Sequence, residues 1–231
     1  MLYSFTDKGK RKSNQDYIIA EIYNPDKSLY VVADGMGGYN HGEIASKGAT
    51  ESIVTYLSGI EHVNERELQK AINKANLFIK QKSEDLKSKI GATIAGVVMS
   101  KNDAHVFWVG DVKVLWIRNN EILFESRSHT LVNEMTENGN IVNNIERYKH
   151  VVTRSISGSL KEGEIDYKFL TNLNSGDVIL IFTDGISDIM SSYQLANIFS
   201  ISSTKIQGVE TVKEFCQISS SDNFSMIAIE I

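Results

Sequence analysis

The chain lacks the features that mark secreted and membrane proteins. It has one cysteine, Cys216, which excludes an internal disulfide and favours a reducing compartment. Its longest apolar runs, such as Val178 to Phe182, have five residues, whereas roughly 20 are needed to cross a bilayer. The charged segment from Asp7 to Lys12 is not followed by the apolar core of a signal peptide. We therefore expect a cytoplasmic protein that has no membrane partner.

Positive charge and proline are also scarce. The 24 lysine and arginine residues are outnumbered by 29 aspartate and glutamate residues, which gives a net charge of −5. No stretch concentrates enough cations to follow a phosphate backbone, so nucleic acid is not an expected partner. The single proline, Pro25, lies in a turn between two strand-like runs, and no low-complexity linker interrupts the chain. We expect residues 1–231 to form one domain and to act as a monomer.

What the sequence does contain is a series of short apolar runs bounded by glycine, aspartate and asparagine, which predict strands. Two longer stretches with helical spacing, Gly42 to Leu57 and Glu65 to Lys89, predict amphipathic helices, and shorter helices are expected at 131–137 and near 187–199 and 208–218. Many strands with helices between them predict an α+β fold, in which two antiparallel sheets are stacked with helices outside as a four-layer αββα sandwich. The strands from Thr93 to Glu125 are expected to form one antiparallel meander. The predicted strands are 2–6, 17–23, 28–33, 93–99, 105–109, 113–117, 121–125, 166–170, 177–183 and 224–231.

Aspartates lie where several of these runs begin or end. If the strand ends converge, the carboxylates would raise one another's pKa or require a counter-charge. Divalent cations with a preference for oxygen ligands, Mg²⁺ and Mn²⁺, are the usual counter-charge. The sequence therefore indicates a metal site. The aspartates concerned are Asp16, Asp34, Asp111, Asp184 and Asp222.

Two of the runs resemble each other, since residues 30–36 and 180–186 both end in Asp-Gly after an apolar strand. A glycine after the aspartate lets the backbone turn sharply, so that Asp34 and the carbonyl of Gly35 could bind the same ion. A single Asp-Gly pair is more often an ordinary turn. The inference depends on the whole set of aspartates.

These residues resemble the metal-dependent protein phosphatases of the protein phosphatase 2C type (PPM family), in their bacterial serine/threonine form. The resemblance covers nearly the whole chain, with the motifs in the family's order. The matching segments are Arg11–Asp16, Val32–Gly38, Gly42–Ser46, Gly91–Thr93, Val109–Asp111, Ser128–Val132, Val152–Ser155, Phe182–Asp188 and Ser221–Ser225.

The resemblance implies two central antiparallel sheets with a two-metal site at one end. Asp34 would bridge two Mn²⁺ or Mg²⁺ ions, and Gly35 would bind one of them through its carbonyl. Asp184 and Asp222 would bind the other ion, and Asp16 would lie beside the metals, in contact with their water.

The resemblance also implies the reaction. Arg11 would bind the phosphate of a phosphoserine or phosphothreonine in a protein substrate. A water bridging the metals would attack phosphorus directly, without a phosphoenzyme. Asp111 together with Asp184 matches a third, weaker metal site of bacterial members. The enzyme would reverse the action of a serine/threonine kinase.

Some positions depart from the family. Met36 stands where some eukaryotic relatives have a histidine that protonates the leaving group, and a metal-bound water is the expected donor instead. Many relatives have histidine at the position of Tyr39. Whether His41 substitutes for it or is a surface residue stays open. Residues 138–150 correspond to a flap associated with substrate choice, and Asp188 and His150 are not expected as ligands.

A second function stays open at the level of the sequence. The same fold could serve as a non-catalytic regulatory domain that binds a phosphoprotein without hydrolysing it. Such a domain would be expected to have lost one or more of the metal ligands, whereas this chain has the full acidic set with Arg11.

Overall fold

The structure is a computed structural model that describes residues 1–36, 41–137, 139 and 145–231, without the side chains of residues 146 and 147. Strands and helices alternate in groups along these residues. The strands are β1 (Leu2–Asp7), β2 (Asp16–Asn24), β3 (Lys27–Met36), β4 (Gly91–Ser100), β5 (Asp103–Val109), β6 (Lys113–Arg118), β7 (Glu121–Glu125), β8 (Asp166–Leu170), β9 (Val178–Phe182) and β10 (Phe224–Glu230). The helices are α1 (Gly42–Ser58), α2 (Glu65–Leu86), α3 (Leu131–Glu137), α4 (Ile145–Tyr148), α5 (Asp184–Ser187), α6 (Ser192–Ile201) and α7 (Lys205–Ser219).

The strands form two five-stranded antiparallel sheets. Sheet A has the order β1-β10-β9-β6-β7, and sheet B has the order β2-β3-β4-β5-β8. One apolar cluster, which includes Val32 and Ile181, lies between the two sheets. A second cluster packs α1 and α2 against sheet B, and a third packs the helices around Leu195 and Val212 against sheet A. Three apolar layers between four layers of secondary structure confirm the predicted αββα sandwich.

Five helices follow the predicted pattern, with differences at their ends, and the helix expected near 187–199 begins only at Ser192. The short helices α4 and α5 were not predicted. Helix α2 begins after Asn64, whose side chain accepts a hydrogen bond from the Glu67 backbone N–H. It ends at Leu86 rather than at Lys89, because Lys87 adopts a left-handed conformation with φ of 51°. Cys216 is buried in the core on α7, where burial raises the pKa of its thiol to about 12. Among the described residues, no helix is both long enough and apolar enough to cross a membrane.

The predicted meander from Thr93 to Glu125 is wrong at its centre. Strand β4 pairs with β5, and β6 pairs with β7, but β5 and β6 belong to different sheets. Between them Gly110 has a φ of +104°, and a Cβ at this position would lie 2.3 Å from the Thr93 side chain. Glycine therefore permits a tight turn that carries the chain from sheet B to sheet A. The turn also places Asp111 between the sheets.

Candidate metal centre

Asp16 and Asp34 lie side by side in sheet B and face the other sheet. They are register partners on β2 and β3. One carboxylate oxygen of Asp16, Oδ2, accepts hydrogen bonds from the hydroxyl groups of Thr183 (3.0 Å) and Ser225 (2.7 Å). Thr183 follows β9 and Ser225 lies on β10, so both donors belong to sheet A. Asp16 therefore ties the two sheets together at the end of the sandwich.

Sheet A contributes two further carboxylates at the same end. Asp184 is the first residue of α5, which is separated from β9 by Thr183 alone. Asp222 lies two residues before β10, and its Oδ2 accepts a hydrogen bond of 2.7 Å from the guanidinium of Arg11. The Arg11 side chain is 60% exposed, so most of its donors face solvent. Arg11 thus lies at the outer edge of the aspartate group, where an anion could reach it.

Asp111 comes from the turn between the sheets. The turn is fixed by His129, whose backbone N–H donates to the Gly110 carbonyl at 2.8 Å. The Gly110 N–H in turn donates to Nδ1 of His129 at 3.0 Å. Because Nδ1 accepts a hydrogen bond, the proton of the neutral ring is on Nε2, which lies 3.3 Å from a carboxylate oxygen of Asp166. Burial is the main reason that the pKa of His129 is lowered, which favours this neutral form.

The closeness of these side chains and their burial change their acidity. Burial raises the pKa of Asp16 to about 6, and the charge of Asp222 adds to the rise. Burial, followed by repulsion from Asp16 and Asp184, raises the pKa of Asp34 well above its usual value. Asp184 has its pKa raised well above the usual value by burial and by Asp111 and Asp222. In Asp111 the pKa is also raised, chiefly by burial. Buried carboxylates that repel one another in this way attract cations.

The backbone at Gly35 is packed so tightly that only glycine fits. A Cβ on Gly35 would lie 2.1 Å from the carbonyl oxygen of Gly42 and 2.7 Å from that of Gln15. The Gly35 N–H donates to the same Gln15 oxygen at 3.1 Å, and the Ser46 hydroxyl donates to it at 2.6 Å. The backbone of Gly35, the residue after Asp34, therefore packs directly against the first residue of α1, Gly42.

Individual oxygen atoms in the group are suited to bind a cation. Among the described residues, Oδ1 of Asp16 and Oδ1 of Asp184 are buried and have no hydrogen-bond partner. Buried acceptors without partners are costly to a fold. Carboxylate oxygens are the ligands that Mg²⁺ and Mn²⁺ prefer. The residues therefore fit divalent metal ions of this type.

The structure brings two unexpected residues to this group. Ligand atoms of His150, Asp184 and Asp188 all lie within 4.8 Å of one another. Nδ1 of His150 is 3.5 Å from Oδ2 of Asp188. Asp188 follows α5, so it comes at the end of a short helix. His150 is 38 residues away from Asp188 in the sequence, too far for any spacing rule to connect them.

The positions at which the sequence departs from the family, and the flap, are not all described by the structure. Met36 pairs with Gly91 at the end of β3 and offers no ionisable group. His41 precedes α1 and is half-buried, with Nδ1 lacking a partner among the described residues. Gly37, Gly38 and Tyr39 lie outside the described residues, as does most of the flap from 138 to 144.

The residues that support the carboxylates were missed by sequence reasoning. Thr183 and Ser225 hold Asp16, and Asn223 accepts from the Gln15 N–H at 2.9 Å. Their positions in the sequence could have indicated them, since each is within three residues of Asp184 or Asp222. Their partners are more than 160 residues away in the chain, so only the fold reveals the contacts.

Comparison with known proteins places the chain beside bacterial phosphatases. A family model described as protein phosphatase 2C matches residues 8–214. Protein phosphatase PhpP of Streptococcus pneumoniae is 30% identical over 219 residues, which cover 91% of this chain and 88% of the relative. Serine/threonine phosphatase stp of Listeria innocua is 24% identical over 240 residues, which cover 97% of this chain and 93% of the relative.

Solved structures share the fold over the whole chain. The serine/threonine phosphatase of S. agalactiae has a TM-score of 0.86 at 23% identity, covering 100% of this chain and 99% of its own. The catalytic domain of the serine/threonine phosphatase PstP, solved in complex with two manganese ions, has a TM-score of 0.84 at 22% identity. That match covers 100% of this chain and 97% of the PstP domain.

Proposed function

The chain belongs to the protein phosphatase 2C family and is a protein serine/threonine phosphatase, and we propose that it hydrolyses phosphoserine and phosphothreonine at the aspartate centre with the help of divalent metal ions. One observation carries the proposal. Carboxylates from both sheets meet at one end of the sandwich, and buried oxygens of Asp16 and Asp184 have no hydrogen-bond partner among the described residues. The manganese ions of the PstP structure support the proposal by analogy of fold.

The proposed ligands divide into two groups. Asp34 would be a ligand shared by two Mn²⁺ or Mg²⁺ ions, and the Gly35 carbonyl would hold one of them. Asp184 and Asp222 would hold the other ion. Asp16, held by Thr183 and Ser225, accepts hydrogen bonds from water beside the metals. The ions would lower the pKa of a water at the site, and direct attack of that water on phosphorus would leave no phosphoenzyme.

Arg11 binds the phosphate of the substrate. Its guanidinium has five N–H donors, and its hydrogen bond to Asp222 uses one nitrogen, Nη2. The remaining donors can reach two phosphate oxygens in the forked geometry typical of arginine. This contact orients the phosphoryl group and offsets charge as it develops on the oxygens. The Met36 side chain has no proton to give, so we propose that the leaving alkoxide is protonated by a water of the site.

A third, weaker ion is proposed between Asp111 and Asp184. The charges of Asp188 and His150 act on Asp111, and both residues have ligand atoms within 4.8 Å of an Asp184 oxygen. They could therefore add a carboxylate and an imidazole to this site. An imidazole ligand would favour Mn²⁺ over Mg²⁺ here, because Mg²⁺ strongly prefers oxygen.

The setting of the reaction follows from the same family membership. We propose that residues 1–231 form one catalytic domain, which acts as a monomer in the cytoplasm. Its substrates would be proteins phosphorylated by a serine/threonine kinase of the same cell. The continuous apolar cluster between the sheets supports a single domain, and the buried Cys216 suits a reducing compartment.

Phosphate release from a phosphothreonine peptide tests the proposal. The wild type is assayed with Mn²⁺ and with excess EDTA, beside Asp34→Asn and the matched control Asp26→Asn, which alters an exposed aspartate in the turn between β2 and β3. We expect turnover that requires Mn²⁺, is lost in Asp34→Asn and is retained in Asp26→Asn. A folded, Mn²⁺-loaded wild type that binds several phosphopeptides but hydrolyses none would instead indicate the regulatory domain.

A further inference from the structure

The loop between β1 and β2 concentrates positive charge on an otherwise acidic protein. Residues 8–12 read Lys-Gly-Lys-Arg-Lys, so four of these five residues are cationic. Because the whole chain carries −5 and these four side chains contribute +4, the remainder carries −9. We call the segment from Lys8 to Lys12 the basic loop. Its charge contrasts with that of the rest of the chain and suits an anionic partner.

The basic loop is held firmly in place. The Arg11 N–H donates to the Lys8 carbonyl at 3.1 Å, which closes a turn. The side-chain amide of Asn223 donates to the carbonyls of Lys8 and Ser13, both at 2.9 Å. The Gly9 N–H donates to Asp7 at 2.9 Å. A loop whose backbone is already ordered loses little entropy when it binds a partner.

The basic loop borders the metal centre. Its Gly9 lies so close to Asp222 that a Cβ would be 2.2 Å from the Asp222 carbonyl oxygen. Arg11 contacts the carboxylate of the same aspartate. A phosphorylated residue bound at Arg11 would therefore place its neighbours in the substrate, at up to about 3.5 Å per residue, over the rest of the loop.

Two of the four cations have no partner within the described part of the chain. Arg11 binds Asp222, and the ammonium of Lys10 donates to the Ile218 carbonyl at 3.3 Å. The side chains of Lys8 and Lys12 are exposed, and neither ammonium group has a hydrogen bond or ion pair to a described residue. Their charges are therefore available to a molecule that approaches the site.

We propose that Lys8 and Lys12 bind acidic side chains close to the phosphorylated residue of the substrate, so that the enzyme prefers phosphopeptides with acidic flanks. The inference rests on the proposed function, because it concerns the substrate of the same site. A polypeptide is favoured over nucleic acid as the partner, since two free cations are too few to follow a phosphate backbone. Two carboxylates of a peptide match them in number.

Two phosphothreonine peptides test the proposal. One has glutamate on both sides of the phosphothreonine, and the other has glutamine at the same positions. Wild type is compared with Lys8→Gln/Lys12→Gln, which leaves Lys10 and Arg11 intact. The matched control Lys101→Gln/Lys168→Gln also removes two exposed lysines. Lys101 follows the far end of β4, about 26 Å along the strand from the residue paired with Asp34.

The wild type is expected to prefer the glutamate peptide by about three- to tenfold in kcat/KM. The difference should lie in KM and should shrink when salt is raised from about 0.05 to 0.3 M. The loop variant should lose the preference and keep its turnover of p-nitrophenyl phosphate, while the control variant behaves as wild type. Equal turnover of both peptides by wild type, or an undiminished preference in the loop variant, would overturn the proposal. No Mn²⁺-dependent turnover of any substrate would instead overturn the proposed function.

Discussion

Thr183 and Asp16 determine how the two sheets meet at the candidate centre. The Thr183 hydroxyl donates to Asp16 and accepts from the Ser225 N–H at 3.0 Å, so one side chain serves both sheets. Sequence analysis predicted that Asp16 lies at the centre, because an aspartate at a strand end is visible in a single sequence. It did not predict Thr183, because 167 residues separate the two partners. Contacts of this kind depend on the fold.

We expect Thr183→Val to destabilise the protein by about 2 kcal/mol. Valine has nearly the same shape but leaves the buried Ser225 N–H without its acceptor and removes one donor from Asp16. Urea unfolding of the metal-free protein measures the change. Thr55→Val is the matched control on the exposed face of α1, and it should change the free energy of unfolding by less than about 0.5 kcal/mol. Equal effects of both substitutions would contradict this role of Thr183.

Gly35 matters for its small size as well as for the proposed metal ligand that its carbonyl provides. We expect Gly35→Ala to lower the free energy of unfolding by about 3 kcal/mol, because its Cβ would lie 2.1 Å from a backbone oxygen of Gly42. The backbone must move to relieve this clash, and the movement should also weaken Mn²⁺ binding, which isothermal titration calorimetry measures. Gly59→Ala is the control, since its Cβ would meet its nearest atom at 3.9 Å. Unchanged Mn²⁺ affinity in a folded Gly35→Ala protein would contradict the packing argument.

At the scale of elements, most strands and helices were predictable because their patterns are local. The error was the assignment of β5 and β6 to one meander. Both strands are apolar and are separated by three residues, so periodicity does not reveal which sheet each joins. The left-handed Gly110 sends the chain across to the other sheet. The position of Asp111 at the centre depends on that crossing.

The side chain of Asn223, the residue before β10, holds the loop between β1 and β2 in place. Asn223 accepts from the Gln15 N–H and donates to the carbonyls of Lys8 and Ser13. We expect Asn223→Ala to lower the free energy of unfolding by about 2 to 3 kcal/mol and to speed hydrogen exchange in residues 8–15. Mass spectrometry of exchange measures the second effect. Asn174→Ala, on an exposed turn before β9, should leave exchange in this loop unchanged. Protection of residues 8–15 that survives Asn223→Ala would contradict the assignment.

At the scale of the whole molecule, the carboxylates make the metal-free fold depend on pH. Unfolded aspartates have a pKa of about 3.9, whereas Asp16 has a pKa of about 6 and those of Asp34 and Asp184 are raised well above the usual value. The unfolded state therefore loses its protons first as pH rises. Between these pKa values the folded state binds more protons, so the free energy of unfolding falls with rising pH.

We expect the metal-free protein to be less stable at pH 7.5 than at pH 5 by a few kcal/mol, since one unit of pKa corresponds to about 1.4 kcal/mol. Saturating Mn²⁺ should remove most of this loss, because bound cations offset the carboxylate charges. Urea unfolding in EDTA and in Mn²⁺ at both pH values measures these effects. In EDTA, the free energy of unfolding of Asp34→Asn should fall less between pH 5 and pH 7.5 than that of the wild type. Stability in EDTA that rises from pH 5 to 7.5 would contradict the electrostatic account.

The central claim is that metal ions held by aspartates from both sheets drive hydrolysis of phosphoproteins. The most direct test titrates Mn²⁺ into the metal-free protein and follows bound Mn²⁺ by electron paramagnetic resonance, together with turnover of a phosphothreonine peptide. We predict that turnover appears only as ions bind, reaches most of its final value with two tightly bound ions, and is absent when Asp34→Asn is titrated in the same way. Full turnover in EDTA, or equal Mn²⁺ binding and turnover by Asp34→Asn, would contradict the claim.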